Sequence, residues 1–242
     1  MNFDVLHVLL DASGLRNRAI YLTLFQGLMD QKRFSENFNP YGYELGCHIK
    51  EKGVDEPYRV NCLRGRKANR HPFNTWIAHD ALEAWRLYFE RERGYPKKGE
   101  SAALNEQGKP LALVAFFACH HRLTMKLGYV KPNNGQSRYG YNLHEFRDLA
   151  RSVLEKAKSE NFNTLSAEYW MGHTVDPLFY NKIWTMDADY NRAQYKIAEK
   201  YLNVLSGIAT VDLGAQTRIK ELEERLAKLE AVYTKTIEVK AE

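Results

Sequence analysis

Residues 141–180 hold the most informative part of the sequence: Asn142-Leu-His-Glu-Phe-Arg147, then Met171-Gly-His173, then Asp176-Pro-Leu-Phe-Tyr180. A His and an Arg three residues apart are followed by a Gly-His pair and then by a tyrosine. Two cationic groups on one face can hold a phosphate, and a nearby phenol can attack it. These residue types in this order predict a phosphate-binding site with a nucleophile.

The local pattern at the start of this stretch predicts a helix. Asn142 is a good N-cap residue and Glu145 completes a capping box, so the helix is expected to begin at Leu143. His144 and Arg147 are then neighbours on one helix face, in the first turns, where free N–H groups and the helix dipole favour an anion. The pair is therefore suited to a phosphate.

An alternative interpretation makes His144 and Arg147 a surface pair beside Asp148. The residues further on favour the phosphate site instead, because Gly172-His173 ends an aromatic-rich helix and Asp176-Pro177 is typical of the start of another. Tyr180 would lie on the first turn of that new helix. Three further tyrosines follow among apolar residues at a spacing typical of packing: Tyr190, Tyr195 and Tyr201. Tyr180 is the predicted nucleophile.

Composition fits a globular protein. Of the 242 residues 44% are hydrophobic, and no apolar run is long enough to span a bilayer. The N-terminus lacks the pattern of a signal peptide, so a cytoplasmic, DNA-associated location is expected. Cys47, Cys62 and Cys119 are odd in number and widely spaced, which predicts free thiols rather than a disulfide frame or a zinc site.

Charge points to a polyanionic partner through its distribution rather than its total. The net charge is +5, and five basic side chains fall in one short segment without an acid: Arg64, Arg66, Lys67, Arg70 and His71. The Cys119-His120-His121-Arg122 run is not predicted to bind metal, because adjacent helix residues point to different sides.

The order of elements predicts an α+β, mainly helical fold with a small three-stranded antiparallel sheet near the front. The predicted helices are Phe3–Leu10, Asn17–Leu28, Asp80–Arg93 and Leu111–Leu127, and the predicted strands are Tyr43–Ile49, Tyr58–Leu63 and Pro72–Ile77. Residues 1–205 are expected to form one domain. Residues 206–242 form a C-terminal tail whose apolar residues predict a short coiled-coil-like helix.

These motifs resemble the catalytic domain of tyrosine recombinases, the phage-integrase family, and most closely its archaeal-type integrase-like branch. The resemblance implies six catalytic residues: Arg33, Lys67, His144, Arg147, His173 and Tyr180. Family members carry the first arginine just after an apolar helix, so Arg33 is assigned this role and Arg16, which precedes that helix, is not. Tyr180 follows His173 by seven residues, whereas the family spacing is about nine.

The resemblance also implies a mechanism without metal or nucleotide cofactor. Tyr180 would attack a DNA phosphate to form a 3′-phosphotyrosyl link, while Arg33 and Arg147 would hold the phosphate oxygens and Lys67 would protonate the leaving 5′ oxygen. His144 and His173 would hydrogen-bond the phosphate or assist proton transfer. Double-stranded DNA is the implied partner, contacted by Arg64, Arg66, Arg70, His121 and Arg122, with self-association to a tetramer on DNA.

Two other functions remain open at this point. A catalytically silent DNA-binding protein could keep the same fold, and a topoisomerase-like nicking and closing activity would use the same residues without strand exchange. Family members usually carry an N-terminal domain that clamps the DNA, so the chain is expected to be a catalytic fragment or a minimal relative.

Overall fold

Helices make up most of the residues that the computed structural model describes, which are 1–62, 72–130, 141–175 and 183–206. The helices are α1 (Phe3–Asp11), α2 (Leu15–Gln26), α3 (Gln31–Arg33), α4 (Gly42–Lys52), α5 (His79–Tyr88), α6 (Leu113–Lys126), α7 (Glu145–Val153), α8 (Thr164–Trp170), α9 (Ile183–Met186) and α10 (Ala188–Leu202). Wider π-helical turns at Phe34–Phe38 and Phe89–Arg93 extend α3 and α5, and a 3₁₀ turn at Leu154–Glu160 follows α7. The strands are β1 (Tyr58–Cys62) and β2 (Phe73–Ile77).

The sheet of the described residues has two antiparallel strands, with Tyr58 opposite Ile77 and Cys62 opposite Phe73. The prediction of a third strand at Tyr43–Ile49 is wrong, because these residues belong to α4. The buried positions in α4 recur at the spacing of a helix rather than of a strand: Gly42, Leu45, Gly46 and Ile49.

Helix α2 is the central element of the core. Every residue from Ala19 to Gln26 is buried, which is the pattern of a helix covered on all sides. It packs against α5 and α7. Its buried polar side chains have partners, since Thr23 accepts a hydrogen bond from Nε1 of Trp85 and Gln26 accepts one from the backbone N–H of Ala78.

The predicted helices at the front of the chain are confirmed within a few residues at each end, and so are the strands β1 and β2. Two local details differ from prediction. Helix α7 begins at Glu145 rather than Leu143, because Asn142 accepts from the N–H of His144 in a turn just before the helix. Helix α5 begins at His79 rather than at Asp80, whose carboxylate accepts from the backbone N–H groups of Leu205 and Ser206.

Asn191 of α10 joins four elements through its buried side-chain amide. Its oxygen accepts hydrogen bonds from Nε1 of Trp76 in β2 and of Trp170 in α8, at 3.3 and 2.7 Å. Its nitrogen donates to Asn74 of β2 at 2.6 Å and to the carbonyl of Trp184 in α9 at 3.1 Å. A buried amide whose donors and acceptor are satisfied fixes the relative positions of its partners.

Contacts divide the chain into the units Met1–Ser206 and Gly207–Glu242. The predicted coiled-coil-like tail helix and the predicted helix start at Asp176-Pro177 lie outside the described residues. Among the helices that the structure describes, none has the length and apolar character needed to cross a membrane.

Candidate functional site

Arg147 is the centre of the candidate site. Helix α7 packs on α2 through Phe146, whose ring stacks on Tyr21 with centroids 4.9 Å apart. This contact turns Arg147 inward, where it is 1% exposed. Its Nη2 atom donates to the carbonyl of Met171 at 3.1 Å and to Nε2 of His173 at 2.9 Å. The predicted pairing of Arg147 with the Gly-His motif is therefore present as a direct contact.

The C-terminal turn of α8 determines the position of His173. The backbone N–H of His173 donates to the carbonyl of Glu168, and the N–H of Gly172 donates to the carbonyl of Tyr169, which together form a Schellman motif. Gly172 has φ +70, and a Cβ there would lie 2.6 Å from Cε1 of Phe73. Glycine is therefore required at this position, and it places His173 directly opposite Arg147.

Glu168 supports His173 from the other side. Nδ1 of His173 lies 2.6 Å from Oε2 of Glu168, and Nε of Arg151 lies 2.6 Å from Oε1 of the same carboxylate. Burial alone would raise the pKa of Glu168, but the hydrogen bonds from Arg151 and His173 outweigh it and hold the pKa below its usual value. Sequence reasoning missed Glu168. The available signal was the spacing of Arg147 and Arg151, which places both arginines on one face of α7.

Arg33 approaches Arg147 through a shared carboxylate. Asp30 caps α3 by accepting from the N–H of Arg33 at 2.8 Å, and its other oxygen lies 3.8 Å from Nη1 of Arg147. Arg33 is 3% exposed, and its Nη1 lies 3.5 Å from Glu36 and 3.4 Å from Asn37. Asp30 therefore contacts the backbone of Arg33 and faces the guanidinium of Arg147, whereas the guanidinium of Arg33 lies beside Glu36 and Asn37.

Cys62 of β1 lies in the same region. Burial raises the pKa of its thiol to about 12, opposed by the charge of Arg33 and reinforced by that of Asp30. A thiol in this state is protonated at neutral pH and unreactive. Cys62 therefore acts as an apolar wall of the site.

His144 is more peripheral. Its imidazole is 42% exposed and lies 3.5 Å from Asp148, one turn along the same helix. The alternative interpretation of His144 and Arg147 as a surface pair beside Asp148 therefore holds for His144 only, because Arg147 is buried. An exposed imidazole at the first turn of α7 remains available to a ligand that approaches from solvent.

The residues of α6 predicted to contact DNA are on its accessible side. Arg122 is exposed and donates to the carbonyl of Ala118 on its own helix, and His121 is half-buried. Their neighbour His120 is buried, with its ring nitrogens 3.1 Å from the hydroxyl of Tyr21 and 2.8 Å from the carbonyl of Tyr141. Among the described residues, no group of three or more His, Cys, Asp or Glu side chains could hold a metal ion.

Five of the predicted site residues lie outside the described residues. They are Arg64, Arg66, Lys67, Arg70 and Tyr180. The described part of the site comprises the buried guanidinium of Arg147, the carboxylate of Asp30 that it faces and the imidazole of His173, which is held by the carboxylate of Glu168. The buried guanidinium of Arg33 lies beside Glu36 and Asn37. Guanidinium and imidazole groups this close together are suited to binding an oxyanion.

A scan against models of known protein families, a search of curated proteins and a search of solved structures found no match to this chain.

Proposed function

We propose that this chain is the catalytic domain of a tyrosine recombinase, with the recombinase fold, that cleaves and rejoins DNA through a 3′-phosphotyrosyl intermediate. The observation that carries the proposal is the contact between Arg147 and His173 at 2.9 Å. These two side chains come from separate motifs whose order first suggested the family, and they lie side by side.

The position of Arg33 supports the same proposal. Arg33, which follows the apolar helix α2, donates its backbone N–H to the carboxylate of Asp30, which also faces the guanidinium of Arg147. In the proposed reaction both guanidinium groups hold the non-bridging oxygens of the scissile phosphate and stabilise the charge of the pentavalent transition state. His173 hydrogen-bonds the same group, Tyr180 attacks the phosphorus, and Lys67 protonates the 5′ oxygen.

A second candidate is a catalytically silent DNA-binding protein. One observation favours it: the guanidinium of Arg147 is 1% exposed and already contacts Met171, His173 and Asp30. A phosphate would have to replace some of these partners. In a silent protein the same contacts would serve stability alone.

A covalent-trapping experiment separates the two candidates. The full chain is incubated with nicked suicide double-stranded DNA and run on a denaturing gel. The recombinase proposal predicts a slow-migrating protein–DNA adduct that Tyr180→Phe abolishes while DNA binding stays nearly unchanged. The matched control is Tyr190→Phe, because the Tyr190 hydroxyl accepts a hydrogen bond from Asn163 and has no assigned role in the reaction.

The outcomes are distinct. DNA binding without any adduct favours the silent protein. An adduct that persists in Tyr180→Phe moves the nucleophile to another tyrosine, and an adduct that turns over without strand exchange favours the topoisomerase-like activity.

A further inference from the structure

Glu168 contacts both the backbone and the side chain of His173, and a second arginine fixes it. We propose that Glu168 is the positioning residue of the site: together with Arg147 it holds His173 in the orientation and tautomer in which Nε2 carries the lone pair and accepts the proton of the attacking phenol. The chemical half of this inference rests on the proposed recombinase function, whereas the tautomer does not.

The tautomer follows from the donors around the ring. A guanidinium group has N–H donors and no acceptor, so the Nη2 atom of Arg147, 2.9 Å away, requires a lone pair on Nε2 of a neutral His173. The ring proton is then on Nδ1, which faces Oε2 of Glu168 at 2.6 Å. In proteins, the partner of one ring nitrogen determines which nitrogen is free to act.

Glu168 is itself held in place. Its carbonyl accepts the backbone N–H of His173, and its second carboxylate oxygen accepts from Nε of Arg151 at 2.6 Å. The hydrogen bonds that lower its pKa keep the carboxylate ionised at neutral pH. Within the part of the chain that the structure describes, the charged groups that face the imidazole directly are Arg147 from α7 and Glu168 from α8. Asp30 and Arg151 lie one contact further out, behind Arg147 and Glu168 respectively.

This arrangement is that of a histidine base supported by a carboxylate. As the Tyr180 oxygen bonds to phosphorus, its proton passes to Nε2 of His173, and the N–H groups of Arg147 move to the phosphate oxygens. The bond from phosphorus to the 5′ oxygen breaks, and that oxygen takes a proton from Lys67. The negative charge of Glu168 stabilises the imidazolium that forms, and the proton returns when the strand is rejoined.

The first test reads the tautomer without DNA. The imidazole nitrogens of His173 are observed by nitrogen-15 NMR in the wild type, Glu168→Gln, Glu168→Ala and a control, Glu155→Gln. Glu155 also binds Arg151 but is not the carboxylate on His173. We expect a hydrogen-bonded, slowly exchanging proton on Nδ1 in the wild type, the control and Glu168→Gln, whose amide oxygen can still accept. In Glu168→Ala the donor from Arg147 keeps the proton on Nδ1, but this proton has lost its acceptor and should exchange rapidly with water. An unchanged spectrum in Glu168→Ala overturns the proposal.

The second test reads the chemistry on the suicide substrate. Glu168→Ala should slow adduct formation by on the order of 100-fold with unchanged DNA affinity, which is the usual size of a general-base contribution. Glu168→Gln should lose less.

Adduct formation at the wild-type rate in Glu168→Ala contradicts the proposal. If the wild type itself forms no adduct, the proposed function fails, and the NMR comparison still decides whether Glu168 holds His173 in position.

Discussion

Nη2 of Arg147 lies 2.9 Å from Nε2 of His173 and so connects the first turn of α7 to the turn after α8. The same guanidinium also reaches the carbonyl of Met171 and the carboxylate of Asp30. One planar fork therefore links three separate segments of the chain. A single ammonium group cannot span these partners.

Arg147→Lys should therefore abolish most activity while keeping the charge. We expect adduct formation to fall at least about 100-fold. The free energy of unfolding should fall by about 2 kcal/mol, because the hydrogen bonds of the buried guanidinium are lost. The control is Arg122→Lys on the exposed side of α6. Equal activity in the wild type and Arg147→Lys would remove the guanidinium from the chemistry.

Asp30 combines two roles that substitution can separate. Asp30→Asn keeps the N-cap of α3 but removes the charge between two buried arginines, so the free energy of unfolding should fall by about 2 kcal/mol. Asp30→Ala should cost about 1 kcal/mol more, because the cap is lost as well. Chemical denaturation measures both changes. Asp187→Asn, at the cap of α10, should be nearly neutral, and a similar result for Asp30→Asn would show that the buried arginines do not need the charge.

Gly172, just after α8, and Gly128, just after α6, form a matched pair of positions for substitution by alanine. Both have positive φ, +70 and +76, but a Cβ at Gly128 meets no atom within 4 Å, whereas one at Gly172 meets the Phe73 ring at 2.6 Å. Gly128→Ala should cost about 1 kcal/mol for the backbone alone. Gly172→Ala should cost roughly 2 kcal/mol more, because the ring must move. Equal costs for the two variants would mean that Phe73 yields without penalty.

His120 gives the stability a defined dependence on pH. Burial lowers its pKa from 6.5, although the bond to the Tyr141 carbonyl opposes this. The unfolded chain therefore binds more protons than the folded one below about pH 6.5, and stability falls as the pH drops through that range. His48, whose pKa is also lowered by burial, acts in the same direction.

The measurement is the free energy of unfolding between about pH 7.5 and 5.5. His120→Gln should reduce the slope, because its amide can bond Tyr21 and Tyr141 without titrating. The slope that remains belongs to His48. If His120→Gln has the same slope of unfolding free energy against pH as the wild type, a group other than His120 causes the pH dependence.

The basic segment at residues 64–71 is expected to grip DNA phosphates. Replacing Arg64 and Arg70 with Ala should lower the slope of log affinity against log salt by about 0.9 for each lost contact, equally for any DNA sequence. Removing two positive charges at Lys97 and Lys98 provides the control. If both double variants change the slope equally, the segment has no special place in DNA binding.

Much of the architecture could be predicted from local patterns. The spacing of apolar residues located α1, α2, α6 and the two strands, because burial imposes that spacing directly. Residues 43–49 misled the strand prediction, because Tyr43 and Ile49 favour strands locally. The tertiary packing of α4 favours a helix instead. Its buried positions follow helical spacing, and its first residue, Gly42, approaches the backbone of Ala102 closely enough to exclude a side chain.

The site was predictable in part. The order of His144, Arg147 and His173 was sufficient to expect a phosphate site, and Arg147 and His173 do lie in contact. The motifs did not include the carboxylates that hold these cations: Asp30 meets Arg147 only through tertiary packing, and Glu168 meets His173 through the turn that ends α8. Acidic residues near a basic site have no spacing rule of their own.

The amide of Asn191 has a consequence for the local unfolding of this protein. Because it bonds β2, α8 and α9 from α10, none of these elements can leave the core without breaking bonds to the same side chain. Local fluctuations that expose one of them should therefore expose all, as a single cooperative unit. Amide protons in β2, α8 and α10 should exchange with solvent at a common rate, and Asn191→Ala should split that unit into independently exchanging pieces.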